Sequence, residues 1–98
     1  MSRRLIIKPE AETEIDEASR WYADTHPALR NEFLNDVEHA LAVIKANPLQ
    51  YQIVYRTIRR VVLRRFPYGL MYITSDHDVF VLACIHGRRD PARWQRRT

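Results

Sequence analysis

An α+β fold is expected: a helical hairpin packed on a small, mainly antiparallel sheet, in the order β-α-α-β-β-β. Three observations carry this. Apolar residues recur at helical spacing through the first half of the chain. The period changes to alternation from Ile58 onward. The 98 residues leave room for one domain (1–98), because domains cluster near ~100–150 residues and a second core does not fit.

Leu5-Ile6-Ile7 reads as a short first strand, ended at Lys8-Pro9. Proline suits the first helical position, and Glu10, Glu12 and Glu14 complement the positive end of a helix dipole. Ala11, Ile15, Ala18 and Tyr22 then fall on one face, so the first helix is expected from about Pro9 to Ala23. Thr25-His26-Pro27 breaks it. Leu29, Phe33, Val37, Leu41 and Ile44, widened by Leu34 and Ala40, make a second stripe. Asn47-Pro48 is a stop signal, since asparagine tolerates a left-handed cap and proline cannot continue the helix. Ile58 to Phe66 alternates as a strand, with Val61 and Leu63 on one side and Arg60, Val62 and Arg64 on the other. Pro67 marks a turn or an edge. Tyr68 to Thr74 forms the next strand, Ser75-Asp76-His77-Asp78 a hairpin loop, and Val79 to Ile85 a strand apolar on both faces. Pairing of these last two strands is the one pairing the pattern specifies.

Composition excludes several classes. The hydrophobic fraction of 46% and charged fraction of 29% are ordinary for a globular chain and argue against disorder. No apolar run approaches the ~20 residues of a membrane helix. The opening Met1-Ser2-Arg3-Arg4-Leu5-Ile6-Ile7 is too short for a secretory h-region. A single cysteine, Cys84, excludes an internal disulfide or a cysteine-rich zinc site. The expectation is a cytoplasmic domain with no membrane partner. Charge is unevenly spread. Residues 1–50 carry six basic and nine acidic side chains, a balance of −3, whereas residues 51–98 carry ten arginines and three acids, a balance of +7. Arginine forks onto carboxylates and phosphates bidentately, so this half suggests an anionic partner, unless the arginines merely solvate a strand face.

Glycine-rich phosphate loops, metal-ligand spacings and a serine triad are all absent from the pattern, and no cofactor or metal is implied. Three features remain. Arg59-Arg60-Val61-Val62-Leu63-Arg64-Arg65 puts Arg60 and Arg64 on one face, where they can hold phosphates or an acidic peptide; the alternative is an edge strand kept from aggregating by its charge. His86-Gly87-Arg88-Arg89-Asp90 can serve acid–base cleavage of RNA with arginine stabilising the phosphate, or His86 can simply pair with Asp90. Tyr72 and Trp94 can stack on bases or cover the core. Cys84, within the most apolar strand, reads as core packing.

The ordered set Arg60 through Phe66-Pro67-Tyr68, then Tyr72, then Val81-Leu82-Ala83, then His86-Gly87-Arg88-Arg89-Asp90-Pro91 with Trp94, following a helical hairpin, resembles the RelE/ParE toxin superfamily over nearly the whole chain. The resemblance implies the toxin of a bacterial type II toxin–antitoxin pair, held by a cognate antitoxin in a hetero-oligomer. Arg60, Arg64, Arg65, Tyr72, Arg88, Arg89 and Trp94 are the residues expected to meet a partner, and an acidic antitoxin would neutralise the +7 half.

The superfamily divides by target. ParE-like members poison DNA gyrase; RelE-like members cut messenger RNA on the ribosome. RelE-like sites resemble a Tyr-Arg-x-x-Tyr strand, a basic segment and a terminal tyrosine. Here Tyr68-Gly69-Leu70-Met71-Tyr72 occupies that strand, so Gly69 matches the arginine, Arg88 matches the second arginine and Trp94 matches the tyrosine. Arg60 and Arg64 stand where lysines are expected. Trp94 cannot exchange a proton, and arginine is a poor proton donor. The expectation is therefore a ParE-like, non-catalytic inhibitor of gyrase. The alternative is a ribosome-dependent ribonuclease with His86, Arg88 and Arg64 as its catalytic set.

Overall fold

In a computed structural model that describes residues 3–97, strand β1 (Arg4–Ile7) leads into helices α1 (Pro9–Thr25) and α2 (Pro27–Ala46). Strands β2 (Ile53–Tyr55), β3 (Ile58–Val62), β4 (Tyr68–Thr74) and β5 (Asp78–His86) follow, and a one-turn helix α3 (Ala92–Gln95) ends the fold. Met1 and Ser2, which open the basic N-terminus, and Thr98 lie outside the described residues. The sheet order is β1-β5-β4-β3-β2; β1 runs parallel to β5 and every other pairing is antiparallel. The α+β hairpin-on-sheet architecture expected from the sequence is the one observed. The structure adds β2, α3 and the strand order to it.

The helices form as their residues dictate. Pro9 starts α1 with Glu10 and Glu12 in the first turn. A single residue, His26, separates the helices: its N–H donates to Tyr22 O at 3.0 Å and its Nδ1 accepts from Ala28 N–H at 3.3 Å. Asn47 closes α2 at φ −140° rather than in the left-handed cap expected, so Pro48 supplies the stop. Phe33, Val37, Ala40 and Ile44 of α2 and Ala11 and Ala18 of α1 are buried against Leu70, Tyr72, Val79 and Val81 of the sheet.

The sheet has a second buried face. Ile58, Met71, Leu82, Ala83, Ile85 and Trp94 cluster opposite the helices. A bulge makes this possible: Met71 pairs with Ala83 and Tyr72 with Val81, so Leu82 is the extra residue. Val81 and Cys84 therefore face the helices while Leu82 and Ala83 both face away. β1 ends opposite Val81. Just beyond, Arg97 donates to Leu82 O at 3.1 Å, Glu14 accepts from Cys84 N–H at 3.1 Å, and the two side chains pair at 2.8 Å. Glu14 thus acts as a tether for the C-terminal segment rather than as a dipole charge.

β3 is shorter than expected. It ends at Val62, and the expected pairing of Arg60 with Arg64 on one strand face is corrected accordingly. Buried Asp36 of α2 accepts from Arg64 N–H at 3.3 Å and Arg65 N–H at 2.8 Å, which turns the chain out of the sheet. Leu63 remains buried there.

Candidate interaction site at the end of the sheet

Tyr68, which opens β4, pairs with His86, which closes β5. Gly87 N–H donates to Pro67 O at 2.8 Å, locking the two chain segments together at the sheet end. The His86 ring meets Tyr68 edge-on with centroids 5.2 Å apart, and its Nδ1 accepts from Arg88 N–H at 3.1 Å. An accepting Nδ1 leaves the proton of the neutral ring on Nε2. Asp90 does not pair with His86; its Oδ1 accepts from Ala92 N–H at 3.0 Å and starts the turn into α3.

Two cavities flank this junction. The larger, about 620 Å³, lies on the helix side between Glu17 and Trp21 of α1 and Arg89 and Arg93 of the C-terminal segment, over Tyr22 and Tyr68. Trp21 is 63% exposed. Carboxylates and guanidiniums thus oppose each other across an aromatic floor. The smaller, about 200 Å³, opens on the other face over Val62, Gly69, Met71 and Trp94, with Arg60 and Arg89 at its rim. Pro67, Tyr68, Ile85, His86 and Arg89 line both.

Burial raises the phenols of Tyr22 and Tyr68 above their ordinary value of 10.0, the latter helped by Cys84 and opposed by Arg89. Cys84 borders the larger cavity, but burial, aided by the Glu14 carboxylate, pushes its thiol up to about 12. It stays a thiol at neutral pH, as core packing implies. Among the described residues, no three of His, Cys, Asp and Glu converge to hold a metal ion.

A family model for the ParE toxin of the type II toxin–antitoxin system, parDE, matches residues 5–91. The chain belongs to the ParE toxin family. It is 30% identical over 92 residues to Toxin ParE2 of Mycobacterium tuberculosis strain CDC 1551 / Oshkosh, a match covering 93% of this chain and 88% of that protein. Toxin ParE2 of strain ATCC 25618 / H37Rv matches with the same identity and coverage. The fold is shared with a solved structure described as the chromosomal ParDE TA system from P. aeruginosa, at a TM-score of 0.76 and 15% identity, over 86% of this chain and 95% of that one. The chain is thus the toxin of a type II pair, with a cognate antitoxin as its partner.

In this ParE-family toxin the residues singled out by sequence separate into two groups. His86, Arg60, Arg89 and Trp94 meet at the smaller cavity. Arg64, Arg65 and Arg88 are exposed but line neither cavity. Tyr72 is corrected: it is fully buried on the helix side, and its hydroxyl donates to Pro48 O at 2.7 Å, so it offers no ring face to a partner. Trp94 is 5% exposed and stands edge-on to Tyr55, which makes it a floor rather than a platform. Sequence reasoning missed Trp21, Arg93 and Met71. Trp21 carried a signal, as a large aromatic lying off the Ala11-Ile15-Ala18-Tyr22 stripe.

Proposed function

We propose that this toxin works in the cytoplasm by binding DNA gyrase and trapping it, without catalysing a reaction itself, and that its antitoxin blocks this by covering the arginine-rich half. The observation that carries the reading is the chemistry at Gly69 and Trp94. An RNA-cleaving relative is expected to hold an arginine and a tyrosine at these positions. Gly69 brings no side chain, and the space its Cβ would take is approached by the Arg60 stem, at 3.2 Å from Cδ. Trp94 is buried, and its indole N–H does not ionise near neutral pH, so it can serve as neither general acid nor base. Family membership supports the same branch. The test is supercoiling by purified gyrase titrated with antitoxin-free toxin: inhibition with accumulation of cleaved DNA is expected. No effect from protein that still binds its antitoxin would overturn the reading.

A second reading, ribosome-dependent RNA cleavage, rests on His86, a half-buried imidazole beside Arg88 and Arg89. Under it, His86, Arg88 and Arg64 form the catalytic set. His86→Gln then abolishes toxicity with antitoxin binding intact; under the gyrase reading the same variant stays toxic. For antitoxin capture in a hetero-oligomer, exposed Arg60, Arg64, Arg65, Arg88 and Arg89 supply the positive field. Arg→Glu at Arg60 and Arg64 together is expected to weaken capture in a salt-sensitive way.

A further inference from the structure

We propose that the smaller cavity is an anchor point for the antitoxin: one acidic segment crosses the end of the sheet from the helix-side groove, seats a single apolar side chain over Val62, Met71 and Trp94, and places flanking carboxylates on Arg60 and Arg89. The proposal rests on the toxin–antitoxin assignment and not on the choice of gyrase as target.

Size selects the kind of occupant. At about 200 Å³ the cavity falls below the ~300–1,000 Å³ of small-molecule sites, and suits one side chain projecting from a chain. Its floor is apolar, with Val62, Met71, Ile85 and Trp94 in the lining. Val62 closes β3 beyond its register with β2, which covers Ile58 and Arg59, and is 59% exposed, sharing the cavity lining with Met71 and Trp94 at 4% and 5%. An exposed β-branched residue beside a buried apolar floor is a position where a partner completes the packing. Charge selects the partner. Among the described residues, the lining holds Arg60 and Arg89 and no carboxylate, in contrast to the groove on the helix side with Glu14 and Glu17. Guanidiniums at the rim of an apolar pocket pair bidentately with Asp or Glu flanking an apolar anchor. Gly69 belongs to the same design, because the Arg60 stem lies against the place a side chain would occupy, Cγ at 3.3 Å.

Continuity selects the path. The wall formed by Pro67, Tyr68, Ile85, His86 and Arg89 is common to both cavities. A segment leaving the Trp21 groove passes over Pro67 and His86 directly into the far cavity, and Arg89 contacts it on either side.

The test is titration calorimetry of the full-length toxin with its purified antitoxin. Arg60→Gln and Val62→Gln are each expected to weaken binding about tenfold or more, the scale of a central interface residue. Salt dependence should fall in Arg60→Gln and persist in Val62→Gln, because only the first loses a charge contact. Both sites are exposed, so thermal melting should match the parent, and Arg20→Gln serves as the surface control. A photo-crosslinking side chain in place of Val62, and separately in place of Trp21, should each capture the antitoxin. Parent-like affinity in both variants, or capture from position 21 alone, overturns the proposal. So does loss of gyrase inhibition in these variants with antitoxin affinity unchanged, which would give the cavity to the target instead.

Discussion

The helix-covered face of the sheet and its opposite face are made from the same strands but are finished differently. On the first, Tyr22, Phe33, Phe66 and Tyr68 pack ring against ring, with Phe33 centroids 5.4, 5.3 and 5.3 Å from the other three, and α1 and α2 close over them. On the second, Met71, Leu82, Ala83 and Ile85 are covered by Trp94 from a four-residue helix, and Val62 is left open. The first face is roofed by two long helices and opens at its end, beside Trp21; the second is roofed by one short helix and leaves Val62 uncovered, the place where the proposed antitoxin segment adds packing. The Leu82 bulge divides β5 between the two, since it turns two consecutive residues to the same side.

Truncation should separate the faces. Phe33→Ala removes a fully buried ring from the closed core and should cost ~3–5 kcal/mol in chemical denaturation. Trp94→Ala should cost less, because its cover is a single short helix, and should lower antitoxin affinity, which Phe33→Ala in its folded fraction should not. Equal stability losses with unchanged affinity in both would break the comparison.

Next in size is the tether that holds the second face in place. Arg97 bridges Glu14 and the Leu82 carbonyl, with side chains only 18% and 12% exposed. Arg97→Gln should cost ~1.5–3 kcal/mol, the range for hydrogen bonds to charged groups. Hydrogen exchange should show the loss concentrated at Cys84 and in α3. Exchange rising uniformly through α2 would mean that the tether serves the whole fold rather than this edge.

The same division explains what was legible in the sequence. The helices were readable from a strong period facing one large core, and the Tyr68–Thr74 hairpin with Val79–Ile85 from two apolar runs separated by a polar loop. β2 was not: it has three residues, its register shifts, and its turn runs through Arg56 at φ 52° with no glycine to announce it. Alternation suggests that β3 continues to Phe66, and Leu63 is indeed buried, but Asp36, distant in sequence, captures the backbone at Arg64 and Arg65. The bulge is hidden because Val79 to Ile85 is apolar throughout. For the site, His86, Arg89 and Trp94 stood out by composition, whereas the two cavities depend on which residues share a face across β3, β4 and β5, and no single segment records that.

A smaller effect concerns the polar atoms of the closed face. Burial raises the Tyr72 phenol from 10.0 to about 12, against the pull of Arg59, and the Cys84 thiol from 9.0 to about 12. Both groups deprotonate more readily in the unfolded chain, so the stability they contribute is fully present below pH 9 and is lost as pH rises toward 12. Cys84→Ala should move the onset of that fall up to about pH 10, where the Tyr72 contribution begins. Tyr72→Phe leaves Pro48 O without its donor and should cost ~1 kcal/mol at neutral pH. An alkaline onset that does not move in Cys84→Ala would show that the thiol is less desolvated than its position in β5 implies.

The smallest stability effect, and the sharpest separation of the faces, belongs to Gly69. It is buried at the second position of β4 with negative φ, so its backbone does not require glycine, and alanine there would ordinarily gain up to ~0.5–1 kcal/mol. Opposing this, a Cβ would stand 3.2 Å from Arg60 Cδ and 3.4 Å from Met71 Cε. Both are flexible chains that can yield by a few tenths of an ångström, so Gly69→Ala should change stability by less than ~1 kcal/mol. What it displaces is the Arg60 stem over the far cavity. Antitoxin affinity should therefore fall severalfold in a protein as stable as the parent, and the fall should vanish when Gly69→Ala is made in an Arg60→Gln background, because the arginine through which it acts is gone. An undiminished effect in that background would mean that the methyl fills the cavity itself, and that the apolar floor, more than the arginine rim, carries the antitoxin contact.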